Sequence, residues 1–157
     1  MATRSHFYVT LFSKASRHIY EQNTHADFMV KLAQPMDLCS NSNWEAGLCE
    51  ISFSSPPMEK EKFAPICCNM ISPQFVCDSI VPTVRSYVFP SSSSFKHEFK
   101  NVYYVPVEQR RYQDILIEFL TTEGLHILFE DSTTPTKVVL HFRKNYKLYK
   151  TGRRHLE

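Results

Sequence analysis

YYVPVEQRRYQDILIEFLTTEGLHILFEDSTTPTKVVLHFRK, residues 103–144, is the stretch that decides the fold. Its apolar residues fall on every second position. Ile115, Ile117 and Phe119 point to one side of an extended chain, and Leu116, Glu118 and Leu120 point to the other. Val138, Leu140 and Phe142 alternate in the same way with Val139, His141 and Arg143. A period of two marks a half-buried pleated strand, whereas a helix would need apolar spacings of three and four. The stretch predicts strands over residues 114–120, 126–129 and 137–142, joined by turns. No catalytic group is seated in it.

Upstream the same pattern recurs. A first strand covers residues 7–12 and runs into a polar loop, 13–24, that carries Arg17, His18 and Glu21. Phe28, Val30 and Leu32 alternate with Met29 and Lys31 over residues 27–32. Gln34 and Pro35, then the cluster 40–43, mark a turn. The longest strand is 44–53, where Trp44, Ala46 and Leu48 alternate with Glu45, Gly47 and Cys49. Residues 54–64 read as a loop, because Pro56 and Pro57 cannot donate to a ladder and a charge run follows. Further strands are predicted over 66–71, 74–80, 84–89 and 99–105, with a bend at Pro90 and the four serines after it.

Eight to ten short strands without a helix predict an all-β fold. The long loops at 13–24 and 54–64 suit Greek-key crossings, so the expectation is a single jelly-roll β-sandwich, antiparallel, with eight or more strands. Residues 1–144 form the domain and residues 145–157 a basic tail. There is no internal repeat of the kind a propeller needs, and Trp44 follows Cys39 too closely for an immunoglobulin domain.

At 157 residues the chain is long enough to bury a core without metals or disulfides. Twelve Phe and eight Tyr suit pleated, packed surfaces, while only three Gly leave most turns to Asn, Asp and Ser. The net charge of +2 is nearly balanced, which argues against wholesale coating of nucleic acid. Cys39, Cys49, Cys67, Cys68 and Cys77 are an odd set with no C-x-x-C spacing, and read as small apolar residues in a reducing compartment. There is no Asn-x-Ser/Thr sequon, no signal-peptide apolar region at the start, and no apolar run of the ~18 residues a membrane helix needs. The expectation is a soluble cytosolic or nuclear product.

Enzymatic chemistry finds no foothold in the motifs. His6, His18, His25, His97, His126, His141 and His155 form no H-E-x-x-H, and no serine sits in a G-x-S-x-G elbow. His126 and His141 fall in predicted strands and are expected to face each other across a hairpin, as a hydrogen-bonded or solvent-facing pair rather than a metal site. No cofactor, metal or catalytic residue is expected. Two basic features remain: Arg110 with Arg111, and a tail of Arg143, Lys144, Lys147, Lys150, Arg153 and Arg154 interleaved with Tyr146 and Tyr149. The tail reads either as a solubilising appendage or as an arm for an acidic partner or packaged nucleic acid.

Three segments together carry a resemblance: FYVTL (7–11) with NTHADFMVKLAQPMDL (23–38) and WEAGLCEISF (44–53); CNMISPQFVCDSIVPTVRSYVF (68–89); and the run from Tyr104 to Arg143. The chain resembles the penton, or minor capsid, proteins of Polinton/Maverick elements and of related adintovirus- and adomavirus-like DNA viruses. It departs from them at Phe12-Ser13-Lys14-Ala15, where a Pro-Ser-Asn type of turn is expected, at Cys77, where a Gly is expected, and in a short middle. The resemblance implies a homopentamer at the fivefold vertices of an icosahedral shell. Its partners would be itself, the double-jelly-roll major capsid protein, other minor capsid proteins and DNA met through the tail. It implies a place in the virion, after assembly in the host nucleus or cytoplasm. Tyr103, Tyr104, Arg110 and Arg111 are the candidate subunit interface. The competing expectations are a ligand- or glycan-binding jelly roll, a metal-dependent cupin-type enzyme, and a domesticated capsid-derived host protein.

Overall fold

The structure is a computed structural model, and it describes residues 5–38, 43–53, 63–76, 78–88, 95–121, 123–127 and 134–146. These residues hold eleven strands and no helix: β1 (His6–Phe12), β2 (Asp27–Asp37), β3 (Trp44–Phe53), β4 (Phe63–Cys68), β5 (Gln74–Val76), β6 (Ser79–Val81), β7 (Thr83–Val88), β8 (Phe95–Glu98), β9 (Tyr104–Pro106), β10 (Arg111–Phe119) and β11 (Lys137–Lys144). Every pairing is antiparallel. One sheet has the order β1-β11-β3-β8, with β9 also on β3; a second has the order β2-β10-β4-β7; β5 and β6 form a separate hairpin.

The two main sheets share a single core. Ile115, Ile117 and Phe119 of β10 and Val138, Leu140 and Phe142 of β11 are fully buried, and the residues between them are not. Leu11, Phe28, Leu48, Ile51 and Ile66 join them from other strands. Phe53 of one sheet meets Phe119 of the other edge to face, ring centroids 5.1 Å apart. Each large side chain removed from water here stabilises the fold by about 1.5–3 kcal/mol. The alternation seen in the sequence is therefore the division between core and solvent.

Several boundaries differ from the sequence expectation. Gln34 and Pro35 are not a turn: β2 continues to Asp37, and the register against β10 slips between Lys31 and Met36. Proline lacks the ladder donor, and an irregular stretch of an edge strand is where a sheet tolerates it. The strand expected at 66–71 begins at Phe63 and ends at Cys68, so Phe63 and Ala64 leave the predicted loop. Ile71 makes only an isolated bridge to Val107. The expected strand 74–80 is two short ones folded back as β5 and β6, and the one expected at 99–105 is replaced by β8 before it and β9 at its end. His126 makes one bridge to Leu120, and residues 128 and 129 of that expected strand lie outside the described residues. Arg143 and Lys144 are not tail residues. They pair with Glu45 and Trp44 inside β11.

The first long loop is held by side chains rather than by a ladder. Asn23 grips the backbone of Met29 with both ends of its amide, donating from Nδ2 (2.8 Å) and accepting at Oδ1 (2.9 Å). Ser16 Oγ accepts from the Lys31 backbone at 2.9 Å, and Tyr20 donates to Asp114. Ser13 Oγ accepts from the Thr136 backbone (2.9 Å), while Thr136 Oγ1 donates to the His25 carbonyl (2.9 Å). The bonds to Thr136 fasten the β1–β2 loop to the β10–β11 connection, and the others hold it to β2 and β10.

Candidate functional site

The solvent face of the first sheet carries a row of four residues in cross-strand register: Tyr8 on β1 opposite His141 on β11, His141 opposite Gly47 on β3, and Gly47 opposite Tyr104 on β9. Gly47 has no side chain, and this decides the arrangement. Tyr104 reaches across it, and the Tyr104 hydroxyl lies 2.7 Å from His141 Nδ1. On the other side the Tyr8 ring stacks on His141, centroids 4.4 Å apart. His141 Nε2 lies 3.2 Å from His6 Nδ1. With His141 neutral, two arrangements satisfy the chain: Tyr104 donates to Nδ1 while Nε2–H donates to His6, or His6 donates to Nε2 while Nδ1–H donates to Tyr104.

The next row supplies charge. Arg143 donates from Nε to Glu45 Oε1 at 2.6 Å, and its guanidinium lies 3.4 Å from the centre of the Tyr104 ring. Burial, then the neighbouring His6 and Arg143, hold His141 below the ordinary histidine range. Burial raises the Tyr104 hydroxyl, and Arg143 opposes that shift. Tyr8 is 64% exposed and presents its ring to solvent. The result is an aromatic, hydrogen-bonding face with one guanidinium, a composition enriched at recognition surfaces.

The other expected interface residues lie elsewhere. Tyr103 faces Arg85, whose guanidinium sits between the Phe99 ring (4.0 Å) and the Tyr103 ring (4.5 Å) and donates to the Asn101 carbonyl. Arg110 leans over the Tyr112 ring at 4.8 Å and donates to the Asn69 carbonyl; Arg111 is exposed at the start of β10, opposite Asp37. Tyr103, Tyr104, Arg110 and Arg111 thus have four different sets of neighbours. Lys144 lies in β11 with its ammonium 5.3 Å from the Trp44 ring. Lys147, Lys150, Arg153 and Arg154 lie outside the described residues, as do Cys39 and Cys77. Cys67 and Cys68 are free and buried, their thiols pushed up by desolvation to about 11 and about 12.

His126 and His141 do not face each other. His141 is on the first sheet, whereas His126 lies beside the second, with Nε2 2.8 Å from Glu118 Oε2 and 3.5 Å from Asp27 Oδ2. Burial pushes the Asp27 carboxyl up, with His126 lowering it and Glu118 raising it. Asp27 and His126 also border a cavity of about 520 Å³ shared with Lys14 and Arg17 of the β1–β2 loop. Gly47, Tyr8 and Glu45 were not singled out from the sequence. The outward placement of Tyr8 and His141 follows from alternation, but their meeting depends on pairing the first strand with the last.

Compared with models of protein families and with curated protein sequences, the chain matches neither a family nor a curated relative. Among the described residues no helix is long and apolar enough to cross a membrane.

Proposed function

We propose that this chain is a structural capsid subunit: a single jelly roll that forms homopentamers at the fivefold vertices of an icosahedral shell and contacts a double-jelly-roll major capsid protein. The observation that carries the proposal is the nesting of the strands. β1 pairs with β11, β2 with β10, β3 with β8 and β4 with β7, and successive members of this series lie in alternate sheets. A long hairpin wrapped into two sheets has this order, and jelly rolls of capsid proteins are built in that way. The resemblance of residues 7–11, 44–53 and 104–143 to penton proteins supports the same reading. The exposed face with Tyr8, Tyr104, His141 and Arg143 is then a natural subunit contact, matched in a ring to a different face of the neighbour.

In this proposal the subunit has no catalytic role, its place is the virion, and residues beyond β11 contact packaged DNA or an acidic partner. The test is solution assembly. Light scattering should give a pentameric mass and electron microscopy should show fivefold rings, alone or with the major capsid protein. A strictly monomeric species at high concentration under both conditions overturns the proposal. The DNA role fails separately if removing residues 145–157 leaves assembly and nucleic-acid retention unchanged.

A second reading, a glycan-binding module, is favoured by the exposed Tyr8 ring beside His141, since a flat aromatic platform suits the apolar face of a sugar. A glycan-array signal without self-assembly would select it.

A further inference from the structure

The geometry points to a divalent transition-metal site formed by Asp27, Glu118 and His126. It would clamp the start of β2 and the end of β10 to the connection that follows, and it does not rest on the capsid reading.

Glu118 and Asp27 are direct cross-strand partners in the β10–β2 ladder. Two like charges opposite each other on one face of an antiparallel pair repel, and sheets avoid the placement. Here the repulsion is answered by a third group. The chain turns tightly after β10: Gly124 adopts φ +83°, its N–H donates to the Thr121 carbonyl at 3.0 Å, and the Leu125 N–H donates to Thr121 Oγ1 at 3.2 Å. The bridge between Leu120 and His126 and the bond from Ile127 N–H to the Phe119 carbonyl (2.9 Å) then seat the strand-like return, with Ile127 buried. His126 is held on both sides by the backbone, and its ring is delivered to the two carboxylates.

One donor atom from each residue lies within 4.8 Å of the other two, and the imidazole nitrogen is 2.8 and 3.5 Å from its two oxygens. An ion bound at about 2.0–2.2 Å to nitrogen and oxygen holds its donors roughly 3–3.5 Å apart. Side-chain adjustments of less than about an ångström therefore place all three around one ion. The donor set selects the chemistry. One imidazole with two carboxylates suits Zn²⁺ or Mn²⁺, whereas Ca²⁺ and Mg²⁺ prefer oxygen throughout. A dication also cancels both carboxylate charges. The partial exposure of all three side chains leaves the remaining positions to water.

The test is calorimetric titration of the full chain, with thiols kept reduced, using Zn²⁺ and then Ca²⁺ and Mg²⁺ at neutral pH. The expected result is one Zn²⁺ per chain, no saturable Ca²⁺ or Mg²⁺ binding, and a Tm higher by about 5–10 °C when Zn²⁺ is roughly a hundredfold above its Kd. His126→Ala and Glu118→Gln should each weaken binding by about tenfold or more, since even outer-sphere partners are worth that much. Both should melt cooperatively in a chelator, which shows that they fold. His6→Ala, in the His6–His141 pair on the first sheet, should bind as the parent does. Absence of saturable Zn²⁺ binding, or binding that survives both His126→Ala and Glu118→Gln, overturns the site and leaves His126 as a simple hydrogen-bond partner of Glu118.

Discussion

Gly47→Ala should destabilise the protein and unseat Tyr104. An added Cβ would lie 2.3 Å from Val102 Cγ1, 2.8 Å from the Tyr103 carbonyl oxygen and 3.3 Å from Tyr104 Cδ1. Comfortable contact between carbons is about 3.5–4.0 Å, so the closest approach is more than an ångström too short. Val102 is β-branched and stiff about χ1, and the Tyr103 oxygen belongs to the backbone that leads into β9. β9 must therefore move off β3, where Gly47 pairs with Tyr104. Overpacking of this kind costs about 1–3 kcal/mol. Replacing glycine by alanine gives back about 0.4–1 kcal/mol by restricting the unfolded chain. The net loss of roughly 1–2 kcal/mol corresponds to a Tm lower by about 2–8 °C for a domain of this size. Thermal melts read that loss. NMR titration of His141 reads the local effect, because lifting Tyr104 away re-exposes the imidazole and moves its titration back toward the ordinary range. A variant with unchanged Tm and an unchanged His141 titration would refute the argument that the bare backbone at Gly47 makes room for the tyrosine.

Three further outcomes are expected. Phe119→Ala removes a fully buried ring that packs on Phe53, and should cost about 3–5 kcal/mol, read as a lower denaturant midpoint at unchanged slope; a shift under about 1 kcal/mol would mean the two sheets do not share this contact. His141 titrates below its unfolded value of 6.5, so the folded chain binds fewer protons than the unfolded chain in the window between them. Its contribution to stability is then complete above the unfolded value and is lost as the pH falls through the lower folded value. His141→Gln should flatten the stability profile below the unfolded value of 6.5, and an identical profile would remove His141 as its source. Cys67 and Cys68 should resist iodoacetamide at about pH 8 until the protein is unfolded, because the reactive form is the thiolate and burial suppresses it; peptide mapping that finds either one modified in the native protein contradicts their burial.

The strands that were legible in the sequence are those with one wet face. β11 alternates from Lys137 to Arg143, β10 from Asp114 to Phe119, and β3 on either side of a bulge near Cys49, and the alternation survives because a slip of one residue would invert the core. β4, β5, β6 and β8 were misplaced or merged because each has six residues or fewer, too few for a period to declare itself. A proline ends a central ladder, so Pro35 reads as a stop, and nothing local says that β2 is an edge. The surface row was hidden for a different reason. Tyr8, Gly47, Tyr104 and His141 come from four strands, and only strand order brings them together. Asp27, Glu118 and His126 were scattered in the same sense: their meeting is a matter of register and of one turn at Gly124.

The pairing of the first strand with the last also sets a clock. His6 and His141 are 135 residues apart in the chain. At synthesis rates of about 5–20 residues per second, roughly 7–27 seconds separate the making of β1 from the making of its neighbour. Throughout that interval it is an unpaired edge with Tyr8 and Phe12 on show, open to another copy of itself. Any product cut short before β11 lacks the strand that separates β1 from β3. Nascent chains crowded on one messenger are where such exposed edges would first meet.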